Sequence, residues 1–382
     1  MPKVLFYCQH ILGIGHLIRS IEIIKGLIPE FQVCLINGGQ VIEDFPFPQE
    51  IEVVNIPAIK TDSEFEELKP VDEDLTLEEL EIIRKELILN VCSSFQPDIL
   101  IIELFPFGRR RFSFEIIPLI EKAKSLGSKI VSSVRDIVVT KQDQSRHEQK
   151  VCQLINRYFD LLLIHGDPNF IPLDISFSAL DQLTCPVYYT GYVVQPIPSV
   201  APRRLLEQPL ILVSVGGGRF GHELLESILK TAPLLAPQIP HRFQVFTGPF
   251  CPDSMYEKLV GLALDQDNIA VNRYTPNLIH YMLQADLSIS MSGYNTTMNI
   301  LTTGVKAMMM AFDGNGDLEQ ITRITKLADL GRIKIISSDD LDPQKMAGKI
   351  LNYLQETPKK LDLNLNGTEN TARYIDKLFR SK

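Results

Sequence analysis

The sequence predicts an α/β fold of two Rossmann-like domains facing one another across a cleft, and three observations predict it. Short runs rich in Val, Ile and Leu alternate with longer amphipathic stretches, the pattern of parallel strands covered on both faces by crossover helices. Each half opens alike, with a strand, a glycine loop and a helix. Between the halves, VQPIPSVAPRRLLEQP at 194–209 loses periodicity and gains proline, as a semi-rigid linker does. The domains expected are residues 1–195 and 205–366, with an amphipathic helix over TENTARYIDKLFR near the end of the chain.

In the first half the strands expected are KVLFYC, QVCLIN, IEVVNI, DILIIEL, KIVSSV, DLLLIHG and VYYTGY. Helices are expected near 16–28, 75–95, 112–126 and 143–158. Thr76, with Glu79 three residues on, has capping-box spacing. Residues 60–74, acidic and poor in apolar groups, read as an exposed loop. In the second half PLILVSV, RFQVFTG, NIAVNRY, DLSISM and KAMMMAF alternate with helices, the methionines of the last serving as core.

The totals bound the function. With 382 residues and 45 % hydrophobic content the chain suits about two soluble domains. A net charge of -9 argues against a protein that wraps nucleic acid. Six scattered cysteines, none in a C-x-x-C pair, indicate neither a metal site nor a disulfide scaffold and suit a reducing cytoplasm. MPKVLFYCQH lacks the features of a signal peptide and no apolar run is long enough to span a bilayer, so any membrane contact is expected to be peripheral.

Both glycine loops fall beyond the carboxyl end of a strand, where helix-start N–H groups favour an anion. In HILGIGH, Gly13 and Gly15 fit the dinucleotide spacing, but Ile18 replaces the third glycine and the next strand ends in Asn37 rather than an acid, which disfavours NAD. VGGGRFG places Gly216, Gly218 and Gly221 at the same spacing, again with no acid on the following strand, and suits a diphosphate better than a dinucleotide. Neither loop ends as an ATP-hydrolysing P-loop does. His16, just after the first loop, is either a general base for an attacking hydroxyl or a residue that caps and packs its helix; His10 reads as packing. Arg109, Arg110 and Arg111 in ELFPFGRRRF read either as a solvated helix start or, since a helix start is a poor place for unpaired cations, as binders of an acceptor phosphate or an anionic lipid surface. Arg135 and Asp136, and His165 and Asp167, also end strands and are candidates for an acceptor site, although pairing with a neighbouring acid is the more ordinary role for Arg135. DGNGDLE at 313–319 has Leu318 where a calcium loop needs glycine, which rejects calcium and leaves a sugar-facing loop.

Taken together, GIGH, VSVGGG and the stretch from Asn268 to Gly331 resemble the MurG-like, family 28 glycosyltransferases of the two-domain B fold. FYCQHILGIGH, ELFPFGRRRF, HGDPNFIPL and SGYNT are similar to predicted members of that group. The resemblance implies a glycosyltransferase moving a hexosyl or N-acetylhexosaminyl group from a nucleotide diphosphate, UDP by resemblance, to a hydroxyl acceptor, a lipid carrier being one option. It implies no cofactor and no metal, and a last helix, 367–382, that returns to the first domain. His16 matches the amino-terminal histidine, with Gly13, Gly15, Arg109, Arg110 and Arg135 on the acceptor side. For the donor it assigns Gly216, Gly217 and Gly218, Ser292, Gly293, Asn295 and Thr296 to the diphosphate, Arg273, Tyr274 and Thr275 to the base, and Glu319 and Gln320 to the sugar hydroxyls. The chain departs from the family at Asn299, where a Glu normally accepts both ribose hydroxyls, at Met291, often Arg, and at Lys306, usually Pro. A nucleotide-sugar 2-epimerase on the same fold, or a degenerate non-catalytic binder of nucleotide sugars or glycolipids, are the other readings.

Overall fold

A computed structural model describes the chain except residues 12–13, 43–44, 62–67, 139–142, 200–207, 313–317 and 382. It divides into two compact units, Met1–Val194 with Leu363–Lys382, and Gln195–Asp362. The second unit thus begins at Gln195, ahead of residue 205, and the return to the first begins at Leu363, before the last helix. Part of the expected linker and Gly13 lie outside the described residues, as does most of the 313–319 loop.

The first unit runs β1 (Lys3–Cys8), α1 (Gly15–Leu27), β2 (Gln32–Asn37), β3 (Glu52–Asn55), β4 (Ile59–Thr61), β5 (Leu68–Pro70), α2 (Leu77–Phe95), β6 (Ile99–Glu103), α3 (Ser113–Ser125), β7 (Lys129–Arg135), α4 (Gln144–Tyr158), β8 (Leu161–His165) and β9 (Val187–Tyr189). Its seven-stranded sheet is parallel, in the order β3-β2-β1-β6-β7-β8-β9. Successive residues of β1 serve opposite faces: Leu5 and Tyr7 join the core with α2 and α3, whereas Val4 and Phe6 join the core with α1. Thr76 and Glu79 form the expected capping box at α2.

Two expectations need correction. The stretch at 60–74 is more than an exposed loop: β4 and β5 pair there as an antiparallel hairpin, anchored by Ile59, 2 % exposed. Three-residue strands leave too short an alternation to detect. The last strand stops at Tyr189 instead of continuing to Tyr192, because Gly191 turns with φ +84° and Tyr192 N donates to Asn364 O at 2.7 Å.

The second unit runs β10 (Leu210–Ser214), α5 (His222–Leu235), β11 (Arg242–Phe246), α6 (Asp253–Ala263), β12 (Ile269–Asn272), α7 (Leu278–Gln284), β13 (Leu287–Met291), α8 (Tyr294–Thr303), β14 (Ala307–Met310), α9 (Glu319–Asp329), β15 (Lys334–Ile336) and α10 (Pro343–Gln355). Its parallel sheet has the order β12-β11-β10-β13-β14-β15. Met308 and Met309 are fully buried in it.

The chain then re-enters the first unit as α11 (Gly367–Arg380), which packs on α1. Ile375 is fully buried, Phe379 meets the edge of Phe31 at 6.3 Å between centroids, and Gly26 lies so close to Thr368 that a Cβ would sit 2.6 Å from its Cγ2. All six cysteines are free thiols. Among the described residues no helix is long and apolar enough to cross a membrane.

Candidate functional site

In each unit the strand order reverses between two neighbours, β1 and β6 in the first and β10 and β13 in the second, and ligands of open α/β sheets bind beyond the carboxyl ends of such a pair. His16 and Glu103 lie at the first of these reversals, and the Gly216–Gly218 loop and the Ser292–Thr296 segment at the second.

In the first unit, β6 ends in Glu103, which is fully buried, and the loop after β1 delivers His16 as the second residue of α1. His16 Nδ1 lies 2.8 Å from Glu103 Oε1, and Arg19, one turn along α1, pairs with the same oxygen. Burial pushes the Glu103 carboxyl up, but His16 and Arg19 outweigh it and hold the group below the usual carboxylate range. Burial lowers His16 to about 3, with Arg109 acting in the same direction and Glu103 against it. The imidazole is therefore neutral at pH 7. An ionised carboxylate at 2.8 Å requires a donor, so the proton sits on Nδ1 and the Nε2 lone pair is left as the basic one. Arg19 Nη2, at 3.4 Å from Nδ1, is the weaker contact.

The base of this loop is held by buried polar contacts. Arg84 Nη2 donates to Gln9 Oε1 at 2.6 Å, Arg109 Nε to Gln9 O at 2.7 Å, and His10 Nε2 meets Asn37 Oδ1 at 3.1 Å. His10, 1 % exposed and lowered to about 4 by burial, is a packing residue. Arg109 adopts φ +58° to reach Gln9, and burial lowers its pKa while Glu103 pulls it up and Arg135 down. Arg19 and Arg109 thus place positive charge at Glu103, and Arg135 acts on Arg109. Arg110 turns away, donating to His147 Nδ1 at 2.7 Å, and with Arg111, Lys150 and Arg157 lines a separate cavity of about 570 Å³ between α3 and α4. His165 is fully buried between Ser133 and Thr190, and burial lowers it to about 3. Asp136 accepts from Ile137 N and the Tyr192 hydroxyl, and Asp167 accepts from Asn364 N at 2.9 Å; both carboxylates hold backbone and tail.

In the second unit the loop after β10 carries Gly216 (φ +68°) and Gly218 (φ +88°), with Gly217 between them. A Cβ on Gly218 would sit 2.4 Å from Thr247 O, so the loop nests on the following turn only as glycine. Phe250 N donates to Gly217 O and Gly248 N to Arg273 O, which joins the 273–275 segment to the loop. Arg273 itself pairs with Asp253, donates to Cys251 O and stacks 4.2 Å from the Tyr256 ring, Thr275 accepts from Asn277 N, and burial pushes the Tyr274 hydroxyl up.

After β13, Ser292 and Gly293 lead into α8, whose amino terminus has no side-chain cap and whose first turn holds Asn295 and Thr296. Gln320 Oε1 accepts from Ser292 Oγ and Phe312 N, both at 3.0 Å, which ties the start of α9 to the turn after β13. Glu319, 4 % exposed, pairs with buried Arg323 at 2.9 Å. Asn299, one turn inside α8 and 3 % exposed, donates to Gln195 Oε1 at 2.9 Å. Glu103, Arg19 and Gln195 were not singled out in the sequence. The available signals were an acid closing the strand after the reversal and an arginine one turn from His16. Among the described residues no three His, Cys, Asp or Glu side chains gather as a metal site.

Residues 211–378 match the glycosyltransferase family 28 C-terminal domain. The UDP-N-acetylglucosamine–N-acetylmuramyl-(pentapeptide) pyrophosphoryl-undecaprenol N-acetylglucosamine transferase of Haemophilus influenzae (strain PittEE) is 27 % identical over 176 residues, 46 % of this chain and 48 % of the relative. The chain thus spans about half the length of the curated relatives it matches. MurG of Acinetobacter baumannii superposes with a TM-score of 0.57 at 17 % identity over all of both chains. A putative UDP-N-acetylglucosamine 2-epimerase from Listeria monocytogenes superposes with a TM-score of 0.63 at 13 % identity over 100 % of this chain and 96 % of the other. With two reversal sites, two parallel sheets and a carboxy-terminal region similar to the family 28 domain, the chain has the fold of the two-domain glycosyltransferases of the B type.

Proposed function

We propose that the protein is a glycosyltransferase that moves a sugar from a nucleotide diphosphate, UDP-linked, to a hydroxyl acceptor. The observation that carries the reading is the His16–Glu103 pair, a neutral imidazole whose tautomer is set by a buried carboxylate. In the reaction His16 Nε2 takes the acceptor proton, the acceptor oxygen bonds to the anomeric carbon, and the bond from that carbon to the diphosphate oxygen breaks. The nucleoside diphosphate leaves, and the imidazolium is balanced by Glu103. The N–H groups of the Gly216–Gly218 loop and the α8 amino terminus receive the charge that develops on the leaving group, with Gln320 at the sugar and no cofactor required.

The positive surroundings of Glu103 favour an anionic acceptor, and the name of the Haemophilus relative supplies the class: a pyrophosphoryl lipid. The cavity of Arg110, Arg111, Lys150 and Arg157, with Ile117 and Leu154 among its lining, suits peripheral contact with an anionic membrane face. Transfer of labelled sugar from a panel of UDP-sugars to a lipid pyrophosphate acceptor, lost in His16→Ala, is the expected result. No transfer by a protein that binds the donors would leave the non-catalytic binder. Inversion at the sugar C2 with no acceptor present would move the protein to the epimerases.

A further inference from the structure

The loop that resembles a diphosphate cradle carries a cation with no countercharge among the described residues. Arg219, half-buried, lies with its guanidinium carbon 5.1 Å from the Phe250 ring, and its Nε is buried with no hydrogen-bond partner. Among the described residues no carboxylate pairs with it, and its pKa is lowered by burial alone. Arg273, on the other side of the same 248–253 turn, is the internal comparison: it has Asp253, the Cys251 carbonyl and the Tyr256 ring. Two arginines contact one turn, and among the described residues Arg273 has an anionic partner and Arg219 has none. Burying a guanidinium without an anion costs stability, and the aromatic face offsets part of that cost.

The position explains what the cost serves. Phe250 is fixed because its N–H donates to Gly217 O at 2.9 Å, so the ring holds Arg219 against the loop. Neighbouring Gly216 is exposed, and Met291, which ends β13 beside Gly221, brings no charge. We propose that Arg219, held on Phe250 beside the Gly216–Gly218 loop, is the residue that pairs with the donor's diphosphate and neutralises it as it leaves. This rests on the nucleotide-sugar reading and adds to it a binding residue that the sequence comparison did not assign. Guanidinium suits the task because it can donate two parallel hydrogen bonds to phosphate oxygens.

The test is calorimetric titration of wild type, Arg219→Met, Arg219→Lys and Phe250→Leu with UDP, UMP and uridine. Arg219→Met is expected to weaken UDP about 10- to 100-fold, UMP less and uridine not at all. Arg219→Lys is expected to fall between, and Phe250→Leu to weaken UDP selectively. The UDP affinity of wild type should also fall with salt more steeply than that of Arg219→Met. Unchanged UDP affinity in Arg219→Met overturns the proposal, as does an equal loss for UDP and uridine, which marks a merely structural role. If wild type binds no nucleoside diphosphate at all, the donor reading fails and the proposal with it; if wild type binds and the variants bind alike, only the proposal fails.

Discussion

The side-chain amide of Asn299 donates to Gln195 Oε1 at 2.9 Å, tying α8 to the residue at which the second unit begins. In Asn299→Glu the Gln195 amide can turn and donate to the new carboxylate, so the fold is kept. If position 299 lies beside the ribose, two acceptor oxygens there raise UDP affinity about tenfold, with no gain for a 2′,3′-dideoxy analogue. Calorimetric titration checks this. Equal affinities in the variant and wild type remove residue 299 from the ribose.

Glu103→Gln removes the charge that orients His16 and that pairs with Arg19. Transfer should slow about 100-fold in kcat, with little change in the affinity for UDP. Because His16 is lowered to about 3, wild-type kcat/KM should stay level as pH falls from 8 to about 5. An acid limb centred near 6.5 would show that the imidazole titrates freely.

Three histidines, His10 and His165 buried and His16 partly so, make the first unit acid-sensitive: His10 is lowered to about 4, and His16 and His165 to about 3. Below about 6.5 the unfolded chain binds protons that the folded one does not, so stability is full above that pH and falls towards 4. Each histidine contributes a slope of about 1.4 kcal/mol per pH unit in this window. Urea unfolding of wild type and His165→Gln at pH 7 and pH 5 should show the smaller acid loss in the variant. Equal losses would mean that His165 binds protons in the fold.

What was legible in the sequence follows from what is local. Strands such as Lys3–Cys8 and Leu287–Met291 are continuous apolar runs, the α2 cap is a four-residue pattern, and the glycine loops are contiguous. These led to the sheets and to the neighbourhoods of His16, Gly216–Gly218 and Ser292–Thr296. The partners were not legible. Glu103 is 87 residues from His16 and Gln195 is 104 from Asn299, and only the strand order brings each pair together. Arg273 and Arg219 look equally available as residue types, and only the fold gives one of them Asp253.

Gly216 and Gly218 should respond differently to alanine. Both have positive φ, but a Cβ on Gly216 meets nothing within 4 Å, whereas on Gly218 it strikes Thr247 O and Cys251 N. Gly216→Ala should cost about 1 kcal/mol and keep the loop. Gly218→Ala should cost more and abolish nucleotide binding, because the turn carrying Phe250 must shift. Thermal shift with and without UDP separates the two cases, and indistinguishable variants would contradict the packing.

The basic cavity predicts adhesion to anionic membranes. Lys150→Glu with Arg157→Glu should release the protein from phosphatidylglycerol vesicles in a sedimentation assay while leaving UDP affinity intact. Each reversed cation removes about 1 kcal/mol of attraction and adds repulsion. Retention equal to that of wild type would exclude this face.

Helix α11 lies against α1, and Gly367 packs on the backbone of Tyr192. The first unit is consequently discontinuous, whereas the second is one uninterrupted stretch. During synthesis the surface of the first unit that receives Ile375 stays uncovered until α11, made after the whole second unit, has emerged from the ribosome. The later-made unit can close first. Removing α11 would therefore damage the unit that was translated before the other.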